Sequence, residues 1–224
     1  MSIVGVDECG RGCLYGDVVA GAVVLKPRED LETDADRAAY DALTDSKVLS
    51  AKKRKHLAEI LFSGRLTVTY GIGRASPREI DEINILQATM LAMRRALDAA
   101  AAAAPTALTA PPFAKILVDG TYFRGWREVP YECIVKGDLH VKAISAASII
   151  AKYTRDSEIV AAVAEDPTLA PYGLVTNMGY GTLAHRRALV ALGPRPDHRM
   201  TFEPLASQLA AAAPTPTPAP APTV

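Results

Sequence analysis

The stretch Ile3-Val4-Gly5-Val6-Asp7-Glu8-Cys9-Gly10-Arg11-Gly12 constrains this chain more than any other. In it, a short apolar run delivers two adjacent carboxylates into a glycine-arginine-glycine loop. The apolar run reads as a buried strand. Successive side chains of a strand point to opposite faces, so Asp7 and Glu8 serve one site only if the strand ends at them. Gly10 and Gly12 are expected to end it, because glycine takes positive φ and lets backbone approach a ligand closely. Arg11 between them carries a planar fork of donors suited to phosphate. An Asp-Glu pair at a strand end is also compatible with a solvated turn beside a helix cap, so the choice rests on the rest of the chain.

Further acids follow apolar runs. Lys115-Ile116-Leu117-Val118 leads into Asp119-Gly120, and Glu132-Cys133-Ile134-Val135 is followed by Lys136-Gly137-Asp138. If these strands lie side by side, Asp7, Glu8, Asp119 and Asp138 converge. Like charges that close are tolerable only with a bound cation or with raised pKa values. Hard oxygen ligands, with no Cys/His set at zinc spacing, point to Mg2+ or Mn2+. Two such ions about 4 Å apart would activate water and stabilise the leaving oxygen of a phosphodiester.

At 224 residues with 49% apolar content, the chain is long enough for one substantial domain and a small appendage. No run approaches the roughly 18 apolar residues of a membrane helix, and the start reads as a strand and not as a secretion signal. A soluble, cytoplasmic protein is expected. Lys plus Arg and Asp plus Glu balance at 25 each, so any nucleic-acid binding must come from local patches. Lys52-Lys53-Arg54-Lys55-His56, Arg94-Arg95, His185-Arg186-Arg187 and His198-Arg199 are candidates to line a groove, or simply solvated helix faces. Three cysteines fit a reducing compartment. Cys9 and Cys13 read as two small side chains packing the glycine loop.

Val18 to Leu25 and Leu66 to Ile72 read as strands. Ser50 caps a helix running to about Phe62. Ser76-Pro77-Arg78-Glu79 is a capping box that opens a helix with Ile80, Ile83, Leu86, Met90, Met93 and Leu97 at three- and four-residue steps. Residues 105–112 read as a low-complexity connection. Val141 to about Ala164 reads as an apolar helix, but Ser145, Ser148, Lys152 and Asp156 fall on one of its faces, which is either solvent-facing or aimed at a phosphate. A short helix is expected from about Leu183 to Leu192, and the Pro/Ala/Thr-rich end cannot bury a core. The sum is an α/β chain, a mixed sheet covered by helices, with ligands at the carboxyl ends of strands.

Taken in order, Gly5-Val6-Asp7-Glu8-Cys9-Gly10-Arg11-Gly12, Asp45-Ser46-Lys47-Val48-Leu49-Ser50, Glu79-Ile80-Asp81-Glu82-Ile83-Asn84-Ile85-Leu86, Val118-Asp119-Gly120, Lys136-Gly137-Asp138, the Ile144 to Lys152 segment and Gly179-Tyr180-Gly181-Thr182 closely resemble the ribonuclease HII family. The resemblance covers nearly all of residues 3–205. It implies a ribonuclease H-like mixed central β-sheet flanked by helices, with a catalytic domain over 1–170, a small helical C-terminal cap over 171–209 and a disordered tail over 210–224. It also implies endonucleolytic cleavage of the RNA strand of RNA·DNA hybrids, and cleavage 5′ of a single ribonucleotide in duplex DNA, leaving 3′-hydroxyl and 5′-phosphate ends. The work would serve ribonucleotide removal and primer removal. Asp7, Glu8, Asp119 and Asp138 are the implied catalytic and metal residues for Mg2+ or Mn2+.

By the same resemblance Gly10, Arg11 and Gly12 read the ribose 2′-hydroxyl. The Tyr180 ring packs on the sugar of the following deoxynucleotide, where a second 2′-hydroxyl would clash. Asp7, with help from Asp119, is expected to bridge two ions, with Glu8 and Asp138 completing their shells. Lys47, Ser148 and Lys152 are candidates for phosphate positioning, and Lys136 or the Lys52 to Lys55 run for holding the DNA strand. The family usually has proline at the positions of Cys13 and Gly181, and both replacements loosen the loops concerned. Expected partners are the hybrid or ribonucleotide-containing duplex, with no membrane and a monomeric state. The alternatives are a non-catalytic hybrid-binding module and a related ribonuclease H-fold nuclease with relaxed junction specificity.

Overall fold

The computed structural model describes residues 2–104 and 112–212. Strand β1 (Ile3–Cys9) lies at the centre of a five-stranded sheet, with β2 (Val18–Leu25), β3 (Thr67–Ala75), β4 (Lys115–Asp119) and β5 (Tyr131–Ile134) in the order β3-β2-β1-β4-β5. β1 pairs antiparallel with β2, Asp7 opposite Gly21, and parallel with β4, Val6 opposite Val118. β4 pairs parallel with β5, Asp119 opposite Ile134. The sheet is therefore mixed, as expected from the sequence. Its parallel half points the ends of β1, β4 and β5 to one rim.

Helices α1 (Asp34–Asp41), α2 (Ala51–Phe62), α3 (Pro77–Ala102), α4 (Gly137–His140), α5 (Lys142–Glu165), α6 (Leu174–Asn177), α7 (Leu183–Leu192) and α8 (Leu205–Ala212) complete the chain, with short 3-10 turns at Arg28–Asp30 and Pro167–Tyr172. Val4, Val6, Val18, Ala20 and Ala22 pack with the α3 residues Met93, Ala96 and Leu97 on one face of the sheet. On the other, Val23 packs with Ala146, Ile149 and Ile150 of α5 and Leu57 and Leu61 of α2. α5 sits so close to the sheet that a Cβ on Gly5 would come 2.2 Å from Ala143 C, and one on Gly21 2.5 Å from Ala147 O. Those two glycines set the height of α5 above β1 and β2.

Ser50 and Ser76 cap α2 and α3, and Ser76 forms its capping box with Glu79. The apolar stripe expected along α3 is interrupted, however. Asn84 adopts φ 66° and ψ 162°, and its Oδ1 accepts the N–H groups of Leu86 and Gln87, recapping the helix after the kink. The phase shift leaves Ile83 and Leu86 partly in solvent, while Ile80, Met90, Met93 and Leu97 of the same apolar stripe are buried. α6 and α7 with the 3-10 turn before them form the C-terminal cap, whose Tyr172, Leu174 and Leu189 pack with Leu14, Tyr15 and Ile159. α8 carries helical structure to Ala212, three residues into the segment expected to be a tail. The remainder of that segment, 213–224, and the connection over 105–111 lie outside the described residues. Among the described residues no helix is long and apolar enough to cross a membrane.

Candidate active site

Three carboxylates meet at the rim made by β1, β4 and α4. One oxygen each of Asp7, Asp119 and Asp138 lies within 4.8 Å of the others. Asp7 and Asp119 come from adjacent parallel strands, but Asp138 is not at a strand end. β5 stops at Ile134, Lys136 turns the chain through left-handed φ 56°, and Asp138 is delivered by the single turn of α4. Gly137 in that turn packs closely under Ile144, whose Cδ1 would lie 2.6 Å from a Cβ there and would have to shift. Ser145 Oγ donates to Asp138 O at 2.7 Å, and Asp138 N donates to Asp119 Oδ1 at 3.4 Å.

Glu8 stands outside this trio. β1 continues to Cys9 instead of ending at the carboxylates; Asp7 lies beside Ser148 of α5, while Glu8 lines the adjoining groove with Lys47, Ser148 and Lys152. Glu8 lies at the flank of the cluster, with Oε1 3.4 Å from Arg11 Nη1. Burial, then Glu8 and Asp119, push the Asp7 carboxyl well above the usual carboxylate range; hydrogen bonds from Ser148 and the Glu8 N–H offset only part of this. Burial, Asp119 and Asp45 raise Asp138. Burial also raises Glu8, against the pull of Arg11. The trio is thus an all-oxygen donor set holding more negative charge than a dry pocket tolerates, and it fits a hard divalent cation.

A groove of about 190 Å³ adjoins the carboxylates and is lined by every substrate residue expected from the sequence: Gly10, Arg11, Gly12, Lys47, Ser148, Lys152 and Tyr180. Ser148 and Ser46 hydroxyls lie 2.9 Å apart. Burial alone would lower the Lys47 ammonium, but Asp45, Asp7 and Asp138 outweigh it and raise it. Lys152 pairs with Asp156 at 2.7 Å and lies 5.9 Å above the Tyr180 ring. The polar stripe of α5 therefore faces the site and not solvent: Ser145 and Ser148 are buried.

Loop 10–17 and segment 178–182 form the far wall. An isolated antiparallel bridge pairs Cys13 with Tyr180, and Leu14 N donates to Gly179 O at 2.7 Å. Gly10 takes φ +92°, whereas Gly12 does not take positive φ, so only the first glycine is needed for backbone reasons. Cys9 and Cys13 are free thiols. The bridge ties together the two loops that carry Cys13 and Gly181.

Several basic residues expected to line a groove do something else. Arg54 Nη1 donates inward to Ser46 O and Leu49 O, bracing the segment that carries Lys47, while Lys52, Lys53, Lys55 and His56 remain exposed. Arg95 is bound to Glu79 at 2.7 Å. His185 and His198 are buried with Nε2 atoms 3.0 Å apart, and Arg199 is fully buried. Burial and His185 push His198 down to about 4. Burial pulls Arg199 down to about 10. Ser46 and Arg155 build the site without having been singled out in the sequence, and Arg199, a groove candidate there, is instead buried beneath the loop. Arg155 had a signal, for it follows Ser148 by seven residues and Lys152 by three on the same face of α5.

A mixed sheet in this order with carboxylates at the rim of its parallel half defines a ribonuclease H-type nuclease. The chain matches the structure of ribonuclease H2 from Pyrococcus horikoshii OT3 with a TM-score of 0.64, 24% identity and coverage of 92% of this chain and 96% of that one. It matches Bst-RNase HIII in complex with Mn2+ with a TM-score of 0.68, 22% identity, and coverage of 95% and 70%. At such identities the likeness concerns the fold. The Ribonuclease HII family model matches residues 4–204. The ribonuclease HII of Polynucleobacter necessarius subsp. necessarius is 46% identical over 218 residues, 95% of this chain and 100% of the relative. That of Neisseria meningitidis serogroup B is 42% identical over 93% and 96%. The chain belongs to the ribonuclease HII family. It is a ribonuclease H-type endonuclease of a family that acts on RNA–DNA hybrids, and the reading as a non-catalytic module falls away.

Proposed function

We propose that the chain cuts the RNA strand of RNA·DNA hybrids and the phosphodiester 5′ of a single ribonucleotide in duplex DNA, leaving 3′-hydroxyl and 5′-phosphate ends. The observation that carries this is adjacency: the Asp7, Asp119 and Asp138 oxygens share one rim with a groove walled by Gly10–Gly12 and Tyr180. Asp7, Asp119 and Asp138 would hold Mg2+ or Mn2+, with Glu8 beside them. When bound, such ions supply charge neutralisation at the scissile phosphate and activation of water.

The chain's own groups do the rest. Ser148 holds the Asp7 carboxylate by a hydrogen bond, and Ser46 in turn holds Ser148. Lys47 and Lys152 bring positive charge to the groove wall, where a phosphate would lie. Arg11 has half its side chain in solvent and restrains Glu8 from the loop side. The Tyr180 ring is exposed to the groove and offers a flat apolar face to a sugar. The polypeptide is read as a monomer, which light scattering of the purified protein checks.

The test is cleavage of labelled duplex DNA containing one ribonucleotide, beside an all-RNA/DNA hybrid and an all-DNA duplex, in Mg2+ and in Mn2+, with product ends mapped. A single metal-dependent cut 5′ of the ribonucleotide is expected. Cleavage of the long hybrid alone would overturn the junction part of the reading, and no cleavage in either metal would overturn the metal assignment.

A further inference from the structure

Two guanidinium groups lie beneath the loop proposed to read the junction. Arg155 on α5 and Arg199, just beyond α7, are 1% and 0% exposed. A buried charge ordinarily needs an opposite charge beside it. These two instead direct their donors to main-chain carbonyls. Arg155 Nε donates to Asp17 O at 2.9 Å, Nη1 to Met178 O at 2.8 Å and Nη2 to Tyr15 O at 2.7 Å. Arg199 Nε and Nη2 donate to Gly16 O at 3.0 and 2.7 Å, and Nη1 donates to Arg11 O at 2.8 Å.

The carbonyls involved belong to loop 10–17 and to the segment that presents Tyr180. Arg155 joins the two by holding Tyr15 and Asp17 on one side and Met178 on the other. It also forms the floor under Gly10, where a Cβ would come 2.2 Å from Nε. Arg199 acts on the reading peptide itself. A trans peptide is planar, with C=O and the following N–H pointing in opposite directions. Drawing the Arg11 carbonyl into the interior therefore turns the Gly12 N–H outward, toward the groove that Gly12 lines. Arg199 is itself fixed by its neighbours: the Asp81 carboxylate accepts Met200 N at 2.8 Å and Thr201 N at 3.0 Å. With cysteine at 13 and glycine at 181, no proline ring fixes φ at either position, and the loop is held by these hydrogen bonds together with the Cys13–Tyr180 and Tyr15–His198 bridges.

We infer that Arg155 and Arg199 are positioning residues for junction selection: they hold the Gly10–Gly12 peptides and the Tyr180 segment in the arrangement that favours a lone ribonucleotide over continuous hybrid. They take no part in the hydrolysis itself. The inference rests on the reading of Gly10–Gly12 and Tyr180 given above, and the experiment separates the two.

The quantity to measure is the ratio of kcat/KM on the single-ribonucleotide duplex to kcat/KM on the all-RNA/DNA hybrid. It is determined well below each variant's Tm for wild type, Arg199→Met, Arg199→Lys, Arg155→Lys, Arg11→Ala and Leu97→Ala. Leu97 lies in the core on the opposite face of the sheet, so Leu97→Ala lowers Tm without touching the loop, and its ratio should equal that of wild type. Arg199→Met should lower the ratio about tenfold, the scale expected when a peptide loses a fixed charged hydrogen bond. Arg199→Lys should recover part of it, since an ammonium is a point donor and cannot span two carbonyls as a fork does. Arg155→Lys should lower the ratio similarly. If Arg199→Met yields no folded protein, the two lysine variants are read alone. A wild-type ratio in the folded Arg199 and Arg155 variants, with a lowered ratio in Arg11→Ala, overturns the positioning inference and leaves the reader intact. A wild-type ratio in Arg11→Ala overturns the reader assignment for that residue.

Discussion

The two walls of the candidate site are built in different ways. The carboxylate rim rests on regular structure: Asp7 and Asp119 are set by the register of paired strands, and Asp138 by the single helical turn that follows left-handed Lys136. The opposite wall has almost no regular structure and is held by side chains reaching main-chain carbonyls, by two isolated bridges, Cys13–Tyr180 and Tyr15–His198, and by scattered backbone hydrogen bonds such as Gly16 N to Asp197 O. A strand pair resists displacement because many bonds would have to break together. A loop held by separate hydrogen bonds lacks that cooperativity, and losing one guanidinium frees the carbonyls it held. Hydrolysis should thus be robust to changes in the loop wall, and selectivity should be sensitive to them.

The largest expected effect is on the rigid wall. Asp7→Asn should reduce cleavage of both substrates by about a thousandfold or more, because it removes a carboxylate from the metal-binding trio, while hybrid binding, read by electrophoretic shift in Mg2+, is kept. Retained turnover would show that the trio is not the reaction centre. Next, Tyr180→Ala should cut the single-ribonucleotide rate about ten- to a hundredfold and the long-hybrid rate far less, since its ring contributes apolar contact to one sugar only. Equal losses on both substrates would break the contrast between the walls. Ser148→Ala should lower kcat on both substrates by about tenfold, consistent with losing one hydrogen bond to a buried carboxylate. An unchanged kcat would remove Ser148 from the support of Asp7.

The smallest effect concerns stability. His198 is buried in the cap with its imidazole pushed down to about 4, so it stays neutral in the fold where the unfolded chain, near pH 6.5, takes up a proton. The stability this group contributes is present above about pH 6.5 and is lost as pH falls from there toward 4. Replacing it with glutamine should flatten that part of the Tm-against-pH curve relative to wild type. Parallel curves for the two proteins over that range would show that the imidazole is not held neutral.

The rigid wall was largely legible in the sequence, and the loop wall was not. Apolar runs ending near Asp7 and Asp119, the Ser76 capping box and the Ser148 to Lys152 spacing are local patterns, and local patterns survive folding. What failed were inferences about orientation and burial. The end of the first strand was placed too early: β1 runs two residues past Asp7, to Cys9, and Glu8 lies at the flank of the trio on the adjoining groove. His198 and Arg199 read as groove cations, because nothing within a few residues reveals that Arg199 will meet Arg11 O across 188 positions of chain. Asn84 also broke the apolar period of α3 by a backbone conformation that no hydrophobic count detects.

The contact of Gly5 and Gly21 with α5 has a consequence for sequence change over time. Neither position lines the groove, but a single methyl at either would press on the helix that carries Ser145, Ser148, Lys152 and Arg155. In a saturation library selected for cleavage, those two sites should be as intolerant as the carboxylates. A tolerance map of this protein would therefore trace the shadow of one helix on the sheet together with the outline of its catalytic centre.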